Sequence, residues 1–175
     1  MTTEKRPIAV GVIIGSDSDV PIVEKAKEIL EEFKIPYAAT ICSAHRTPED
    51  LERIVRDWEQ NRGCKIFIAA AGAAAHLAGT IASRTVRPVI AIPIAGKTLT
   101  AVNGLDALLS SAQMPTGIPV ATVAINGAAN AALLAIEILA ISDTAIENKL
   151  STYRKKLIYE TRDKAEKLKK AGWPD

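Results

Sequence analysis

The two histidines of this 175-residue chain, His45 and His76, are its clearest candidates for proton transfer. Histidine is the side chain that both gives and takes a proton near neutral pH. A lone histidine is more often structural, but His45 is followed directly by Arg46 and a predicted helix start. That setting favours a catalytic role for His45.

The residues after Arg46 predict how the helix begins. Thr47 is a suitable N-cap, Pro48 suits the first helical position, and Asp50 stands where a capping box has its acidic residue. A guanidinium beside the free amides of a helix start is a good site for a phosphate monoester. We therefore expect Arg46 to bind a phosphate next to the proton carrier His45.

Four polar side chains follow the first predicted strand: Ser16, Asp17, Ser18 and Asp19. The two serines can donate hydrogen bonds to a phosphate, and either aspartate can accept them from ribose hydroxyls. Pro21 favours the first turn of a helix, so the same residues can instead cap that helix. The sequence leaves both interpretations open.

The segment 71–75 contains alanines around Gly72 and ends next to His76. With so few side-chain atoms, its backbone amides can approach a flat ligand closely. Small residues also permit close packing of a helix on a sheet. Both interpretations remain open for this segment.

The segment 91–98 resembles a phosphate-binding Walker A loop, but two features argue against that function. Pro93 removes a backbone amide, and Ala91 stands where the motif has glycine. No helical pattern follows at once. We interpret residues 94–102 as a flap or a subunit contact.

The elements that position these loops follow from the apolar pattern. Short apolar runs alternate with longer helical patterns, which predicts five β/α units and a doubly wound parallel sheet covered by helices. In such sheets ligands bind beyond the carboxyl ends of the strands, where the polar loops lie. The predicted strands are 8–14, 37–42, 65–70, 88–92 and 120–125, and the predicted helices are 22–33, 49–61, 76–84, 105–112 and 128–141.

The last segment, 144–170, is predicted to be a long polar helix. Its residues 147–170 hold nine Lys or Arg against four Asp or Glu, whereas the whole chain has a net charge of only +2. The helix is either solvated or docked on the acidic surface of a neighbouring subunit. The small net charge gives no reason to expect nucleic acid or an anionic membrane as a partner.

The remaining composition indicates one globular domain in the cytoplasm, with residues 1–143 as the catalytic part and 144–175 as the C-terminal helix. The spacing of Cys42 and Cys64 fits no zinc site or redox motif, and no metal is expected. The N-terminus shows no secretory signal. The nearly uncharged stretch 118–136 contains Asn126 and Asn130, which favour a buried strand and helix over a membrane span.

Five motifs carry a resemblance to a known family: GSDSD at 15–19, SAHRTP at 43–48, AAHLAG at 74–79, NGLDALLSSAQMP at 103–115 and GIPVAT at 117–122. Together, in this order and spacing, the chain resembles class I PurE, the 5-(carboxyamino)imidazole ribonucleotide mutases of purine (IMP) biosynthesis. The related direct carboxylases carry SAHKGP instead of SAHRTP, which favours the mutase.

The resemblance implies a flavodoxin-like α/β/α sandwich that assembles as a homo-octamer, with sites at subunit contacts and the C-terminal helix reaching a neighbour. It implies transfer of a carboxylate from the exocyclic amine of the ribonucleotide to the adjacent ring carbon, without a cofactor. The expected functional partner is the ATP-dependent enzyme that makes the carbamate.

The resemblance also implies roles for individual residues. His45 would be the general acid and base, Arg46 would lie at the phosphate and Asp19 at the ribose. Trapping of carbon dioxide would fall to segment 71–75 and His76. The implied substrate-binding set is Ser16, Ser18, Asp19, Ser43, Ala44, Arg46, Gly72, Ala73, His76 and Leu77.

The chain departs from the family pattern at Ala73, Ala78 and Thr80, where glycine, proline and methionine are usual, and segment 94–102 is about three residues longer. A methyl group at Ala73 is expected to narrow the pocket. Two alternatives therefore stay open: a carboxylase that captures free carbon dioxide with the same His45, and a ribonucleotide-binding assembly module without catalysis.

Overall fold

A computed structural model describes residues 6–96 and 103–173 and contains the predicted alternation of strands and helices. The strands are β1 (Val10–Ile14), β2 (Tyr37–Ile41), β3 (Ile66–Gly72), β4 (Val89–Ile94) and β5 (Ala121–Thr122). The helices are α1 (Val20–Glu32), α2 (Pro48–Gln60), α3 (Leu77–Ala82), α4 (Leu105–Ala112), α5 (Ala128–Ala140) and α6 (Thr144–Lys170). A short 3₁₀ turn at Asp17–Asp19 precedes α1.

The five strands form one sheet in the order β2-β1-β3-β4-β5, and every pair is parallel. This is the flavodoxin-like order, which confirms the predicted fold class. Strand β2 lies on one side of β1 in the sheet, and β3 lies on the other side. The connections at the carboxyl ends of β1 and β3 therefore diverge, and this is where such folds bind ligands.

The strands are apolar on both faces because helices cover both faces. All residues of β1 and β4 are buried. The largest fully buried side chains include Phe67 from β3, Leu30 from α1, Leu51 from α2 and Ile81 from α3. Burial of each such side chain contributes about 1.5–3 kcal/mol. The helices that follow the predicted site loops are therefore anchored on the sheet.

Trp58 anchors α2 by lying directly over Gly11 of β1. A Cβ atom at Gly11 would lie 2.5 Å from Trp58 Cε3. The Trp58 ring stacks on Phe67 with centroids 6.5 Å apart, and the Arg62 guanidinium lies 5.9 Å from the Trp58 ring. A larger residue at position 11 must displace α2, the helix that begins just after His45.

Strand β5 is much shorter than predicted. Asn126 adopts a positive φ of 58° and does not continue the strand. Its amide donates to Pro93 O over 2.8 Å, and its Oδ1 accepts from Ala95 N over 3.0 Å. The apolar residues 123–125 thus belong to a turn that is hydrogen-bonded to the end of β4.

The chain divides into two compact units between Ala135 and Ile136, within α5. In the second unit, Asp143 caps α6 by accepting from Ala145 N and Ile146 N over 3.0 and 3.2 Å. Arg154 pairs with Glu137 over 2.5 Å. Helix α6 has the predicted bounds, and among the described residues no helix has the length and apolar character needed to cross a membrane.

Candidate functional site

A cavity of about 810 Å³ lies at the carboxyl ends of β1, β2 and β3, within the first unit. Its lining contains every predicted site residue except Arg46. The fold therefore brings together three loops that are far apart in sequence. The lining set shared with the prediction is Ser16, Ser18, Asp19, Ser43, Ala44, His45, Gly72, Ala73, His76 and Leu77.

The loop after β1 is held by its own polar side chains. Ser16 Oγ accepts from Ser18 N over 3.4 Å, and Ser18 Oγ lies 2.9 Å from Ser16 Oγ and 3.1 Å from Asp19 Oδ1. Ser16 is the N-cap of the 3₁₀ turn. The two interpretations left open by the sequence are compatible, because the same side chains cap the turn and line the cavity.

Asp19 is the buried carboxyl group of this loop, with 8% of its surface exposed. Burial raises the pKa of the Asp19 carboxyl above its ordinary value. The hydrogen bond from Ser18 acts in the opposite direction, and the nearby Asp17 carboxylate adds to the rise. A ligand hydroxyl that donates to Asp19 would favour the ionised carboxylate.

The loop after β2 is closed by Thr47, but not in the predicted way. Thr47 is the N-cap residue of α2, yet its side chain makes no capping bond. Its Oγ1 donates to Ser43 O and accepts from Ser43 N, each over 3.1 Å. The predicted capping box is also wrong, because Thr47 N donates to Ser43 O over 3.0 Å and the Asp50 carboxylate pairs with Arg53 over 2.5 Å.

The two histidines both line the cavity and contact each other directly. His45 Nε2 lies 3.0 Å from His76 Nδ1, and the rings meet edge to face with centroids 5.1 Å apart. A hydrogen bond between two ring nitrogens needs one protonated and one unprotonated nitrogen, so the pair shares a proton. The sequence placed both histidines on neighbouring loops but gave no signal of this direct contact.

The loop after β3 has a strained backbone. Ala73 has a φ of 53°, in the left-handed region that favours glycine. Ala75 N donates to Gly72 O over 3.1 Å, and Ala75 is buried. The methyl group of Ala73 therefore does more than narrow the cavity, because it requires a costly backbone conformation.

Arg46 and segment 94–102 differ from the other predicted features. Arg46 is exposed and does not line the cavity, although its amide donates to Ser43 Oγ over 3.2 Å. Ile94, Ala95 and Gly96 do line it and were not predicted as site residues. Their position after β4, at the same sheet edge, is the signal that would have identified them. Residues 97–102 lie outside the described residues.

The cysteines lie inside the first unit. Cys42 and Cys64 are both buried and free, and burial raises the pKa of the Cys64 thiol to about 11. Across 6–96 and 103–173, no group of three or more His, Cys, Asp and Glu side chains is arranged to hold a metal ion.

Comparison with known proteins places this chain in a family. The family model described as AIR carboxylase matches residues 9–160. The chain belongs to that family. An N5-carboxyaminoimidazole ribonucleotide mutase of Pyrococcus horikoshii is 54% identical over 94% of this chain and 90% of the relative. The mutase of Thermotoga maritima is 49% identical over 95% of each chain.

The AIR carboxylase family fold is also found among solved structures. The crystal structure of Treponema denticola PurE matches with a TM-score of 0.82 and 32% identity, over 94% of this chain and 99% of that chain. The resemblance to PurE proteins is thus confirmed. A phosphoribosylaminoimidazole carboxylase of Candida albicans is 45% identical over this whole chain, which spans only 30% of that relative.

Proposed function

We propose that this protein is an N5-carboxyaminoimidazole ribonucleotide mutase of purine biosynthesis that uses His45 as general acid and base. The observation that carries the mechanism is the His45–His76 hydrogen bond at the edge of a cavity lined by hydroxyl, carboxylate and backbone groups. The relatives named as mutases, at 49–54% identity over nearly the whole chain, support the choice of reaction.

The reaction balances with His45 alone as the carrier of the proton. The bond between the exocyclic nitrogen and the carboxyl carbon breaks, carbon dioxide is released, and His45 gives a proton to that nitrogen. The adjacent ring carbon then forms a bond to the same carbon dioxide. The proton displaced from this ring carbon returns to His45, so the catalyst is restored and the net change is an isomerisation.

His76 assists by accepting or donating in the shared hydrogen bond. The protonation of one His45 ring nitrogen affects whether the other nitrogen donates or accepts a hydrogen bond. His76 can take the complementary role because its Nδ1 lies 3.0 Å away. The ring nitrogen of His45 outside this bond is Nδ1. We assign the proton exchange with substrate to that nitrogen.

The alanine-rich loop supports retention of carbon dioxide. Ala71, Gly72, Ala73, Ala74 and Ala75 all line the cavity and offer backbone groups with small apolar side chains. A small neutral molecule held there stays next to the ring carbon, which replaces a bimolecular encounter by proximity. Exclusion of water would protect it from hydration.

The substrate-binding roles belong to the loops after β1 and β2. We assign the ribose to Asp19 with Ser16 and Ser18, and the phosphate side to Arg46. Asp19 is buried and lines the cavity, which suits a ribose hydroxyl. Arg46 is exposed, so it would have to turn towards the phosphate when substrate binds. Ser43, Ala44, Gly72, Ala73, His76 and Leu77 complete the proposed set.

We propose further that the protein works as a homo-octamer whose α6 helices pack on neighbouring subunits. Exposed apolar side chains on α6 support this assembly, since such patches mark interfaces: Leu157, Ile158, Tyr159 and Leu168. His45 and His76 are exposed in the single chain, which supports a site completed at a subunit contact. Light scattering that gives the monomer mass of 18.6 kDa would contradict the assembly.

The proposed reaction requires an enzyme that supplies the carbamate. The expected partner in this functional sense is an ATP-dependent enzyme that makes it in the cytoplasm. No nucleic acid or membrane takes part in the proposed chemistry.

The function is tested with freshly made N5-carboxyaminoimidazole ribonucleotide whose carboxyl carbon carries an isotopic label. The protein is mixed with it in unlabelled bicarbonate, without ATP, and the 4-carboxy product is analysed. A mutase gives the product faster than the carbamate decays and retains the label, because the released carbon dioxide stays in the cavity.

Two other outcomes would contradict the mutase activity, and each would support a different function. Product that carries unlabelled carbon from the medium would indicate a carboxylase of the kind named for the Candida albicans relative. Binding of the ribonucleotide without any product would indicate an assembly module that has lost catalysis.

A further inference from the structure

The hydroxyl of Thr47 closes the loop that carries His45. Thr47 Oγ1 donates to Ser43 O over 3.1 Å and accepts from Ser43 N over 3.1 Å, so both peptide groups of Ser43 are bound by one side chain. Cys42 Sγ lies 3.3 Å from the same oxygen. Cys42 Sγ also lies 3.7 Å from Thr47 O, which accepts from the thiol, and either Sγ or Oγ1 can donate in the shorter contact.

The main chain adds to this closure. Thr47 N donates to Ser43 O over 3.0 Å, and Arg46 N donates to Ser43 Oγ over 3.2 Å. His45 therefore lies on a short loop whose two ends are tied to each other. The position of its ring relative to His76 depends on how firmly those ends are held.

Helix capping does not account for this use of the hydroxyl. Helix α2 begins with Pro48 at its first position, and Leu51 N donates to Thr47 O over 3.0 Å without help from the side chain. Asp143 shows the usual arrangement in the same molecule, since its carboxylate accepts from two amides of α6. The Thr47 side chain faces the loop before it instead.

We propose that Thr47 is a positioning residue for His45, tying the His45 loop through its hydroxyl so that His45 Nε2 meets His76 Nδ1. This inference rests on the proposed function for its kinetic consequence, but its structural consequence is independent of that function. Loss of the hydroxyl leaves Ser43 N without its partner and loosens the loop. A shift of His45 by a fraction of an ångström then misplaces the transferred proton.

The first test compares Thr47→Val, which removes the hydroxyl at nearly constant size, with Thr47→Ser, which keeps it. We expect kcat to fall roughly 10- to 100-fold in the valine variant. KM should rise by a smaller factor than kcat falls: Ser43, Ala44 and Arg46 move with the loop, whereas residues 16–19 and 72–76 keep their places. Thr47→Ser restores kcat to within about threefold of the wild type.

Thr85→Val is the matched control. Thr85 Oγ1 also donates and accepts, towards Glu59 over 2.6 Å and from Arg87 N over 3.0 Å. It lies before β4, at the opposite end of the sheet from the cavity. The control removes a comparable hydroxyl and should leave kcat unchanged, whereas an equal fall in both valine variants would mean a general loss of stability.

The second test does not need turnover. The chain has two histidines, so nuclear magnetic resonance of isotope-labelled histidine ring nitrogens reports on this pair alone. Thr47→Val is expected to change the signals of His45 Nε2 and His76 Nδ1, and Thr47→Ser to keep them. Unchanged ring signals in the valine variant would overturn the proposal, even if the wild type proved not to be a mutase.

Thr47→Ala serves if the valine variant fails to fold. It removes the hydroxyl together with the methyl group and places no second sulfur beside Cys42, whose Sγ lies 3.3 Å from Thr47 Oγ1. Wild-type ring signals and wild-type kcat in this variant would also overturn the proposal, and altered signals with a lowered kcat would support it.

Discussion

The two sides of the cavity are built in different ways. The polar side, residues 16–19 and 43–47, is held by hydrogen bonds from serine, threonine and aspartate side chains. The alanine side, residues 72–76, is held by a backbone bond from Ala75 N to Gly72 O over 3.1 Å and by the left-handed conformation of Ala73. One side fixes its shape with side chains and the other with backbone conformation.

This difference has a consequence for mutation. On the polar side a substitution removes a specific hydrogen bond, so its effect should fall on binding or catalysis. On the alanine side a substitution changes the conformational cost of the chain, so its effect should fall on stability. The two histidines join the sides, and changes at that contact should be the largest.

His45→Asn is expected to have the largest effect. Loss of the general acid and base should lower kcat by roughly 10²–10⁴-fold. Binding of the 4-carboxy product, measured by calorimetry, should persist because the rest of the lining is intact. Wild-type turnover in this variant would remove His45 from the mechanism.

Arg46→Ala should mainly weaken substrate binding. A charge-assisted hydrogen bond to phosphate contributes about 1.5–3 kcal/mol, so KM should rise roughly tenfold or more while kcat changes little. Arg53→Ala is the control, because Arg53 is an exposed arginine of α2 that pairs with Asp50. Equal KM values for the wild type and Arg46→Ala would exclude the assigned contact.

Asp19→Asn should stabilise the free protein at neutral pH. Because burial raises the pKa of Asp19 in the folded state, the folded state holds the proton more tightly than the unfolded state. Stability is therefore lost as pH rises from the ordinary value of 3.8 through the raised pKa. The gain in Tm should be full at neutral pH and should shrink towards acid.

The exposed Asp17 provides a comparison for this effect. Asp17→Asn removes the smaller repulsion on Asp19 but also weakens the bonds that the Asp17 carboxylate accepts from Ser16 Oγ and Ser18 N, so it should raise Tm less. A Tm difference between wild type and Asp19→Asn that stays constant across pH would contradict the assigned cause. The stabilised Asp19→Asn variant should also bind the ribonucleotide more weakly.

Ala73→Gly should have the smallest effect. Relief of the left-handed conformation gains about 1–2 kcal/mol, and the greater freedom of glycine in the unfolded chain offsets about 0.4–1 kcal/mol. The net gain of about 1 kcal/mol should appear as a small rise in Tm. Ala74→Gly is the control and should lower Tm, since its backbone has no positive φ. A fall in both would refute strain at Ala73.

The fold could be predicted from the sequence because the spacing of its apolar residues matches the faces that the strands and helices bury. The bounds of α6 match the prediction, and the strand order is the doubly wound one expected from five β/α units. The length of strand β5 was overestimated, because Asn126 is hydrogen-bonded to the end of β4. Local periodicity does not reveal such tertiary contacts.

The sequence predicted which residues line the cavity better than it predicted how their side chains are arranged. The predicted site residues make up ten of the nineteen residues that line the cavity. The directions of three side chains were not predicted. Thr47 bonds to Ser43, Arg46 lies at the surface outside the cavity lining, and His45 contacts His76. Each of these depends on tertiary distances that motif spacing does not contain.

The most direct test of the account is detection of the His45–His76 hydrogen bond in the wild-type protein. With isotope-labelled ring nitrogens, an N–H···N bond gives a scalar coupling between the two bonded nitrogens. We predict coupling between His45 Nε2 and His76 Nδ1, since one of these nitrogens must donate to the other. Two uncoupled rings throughout would contradict the shared proton.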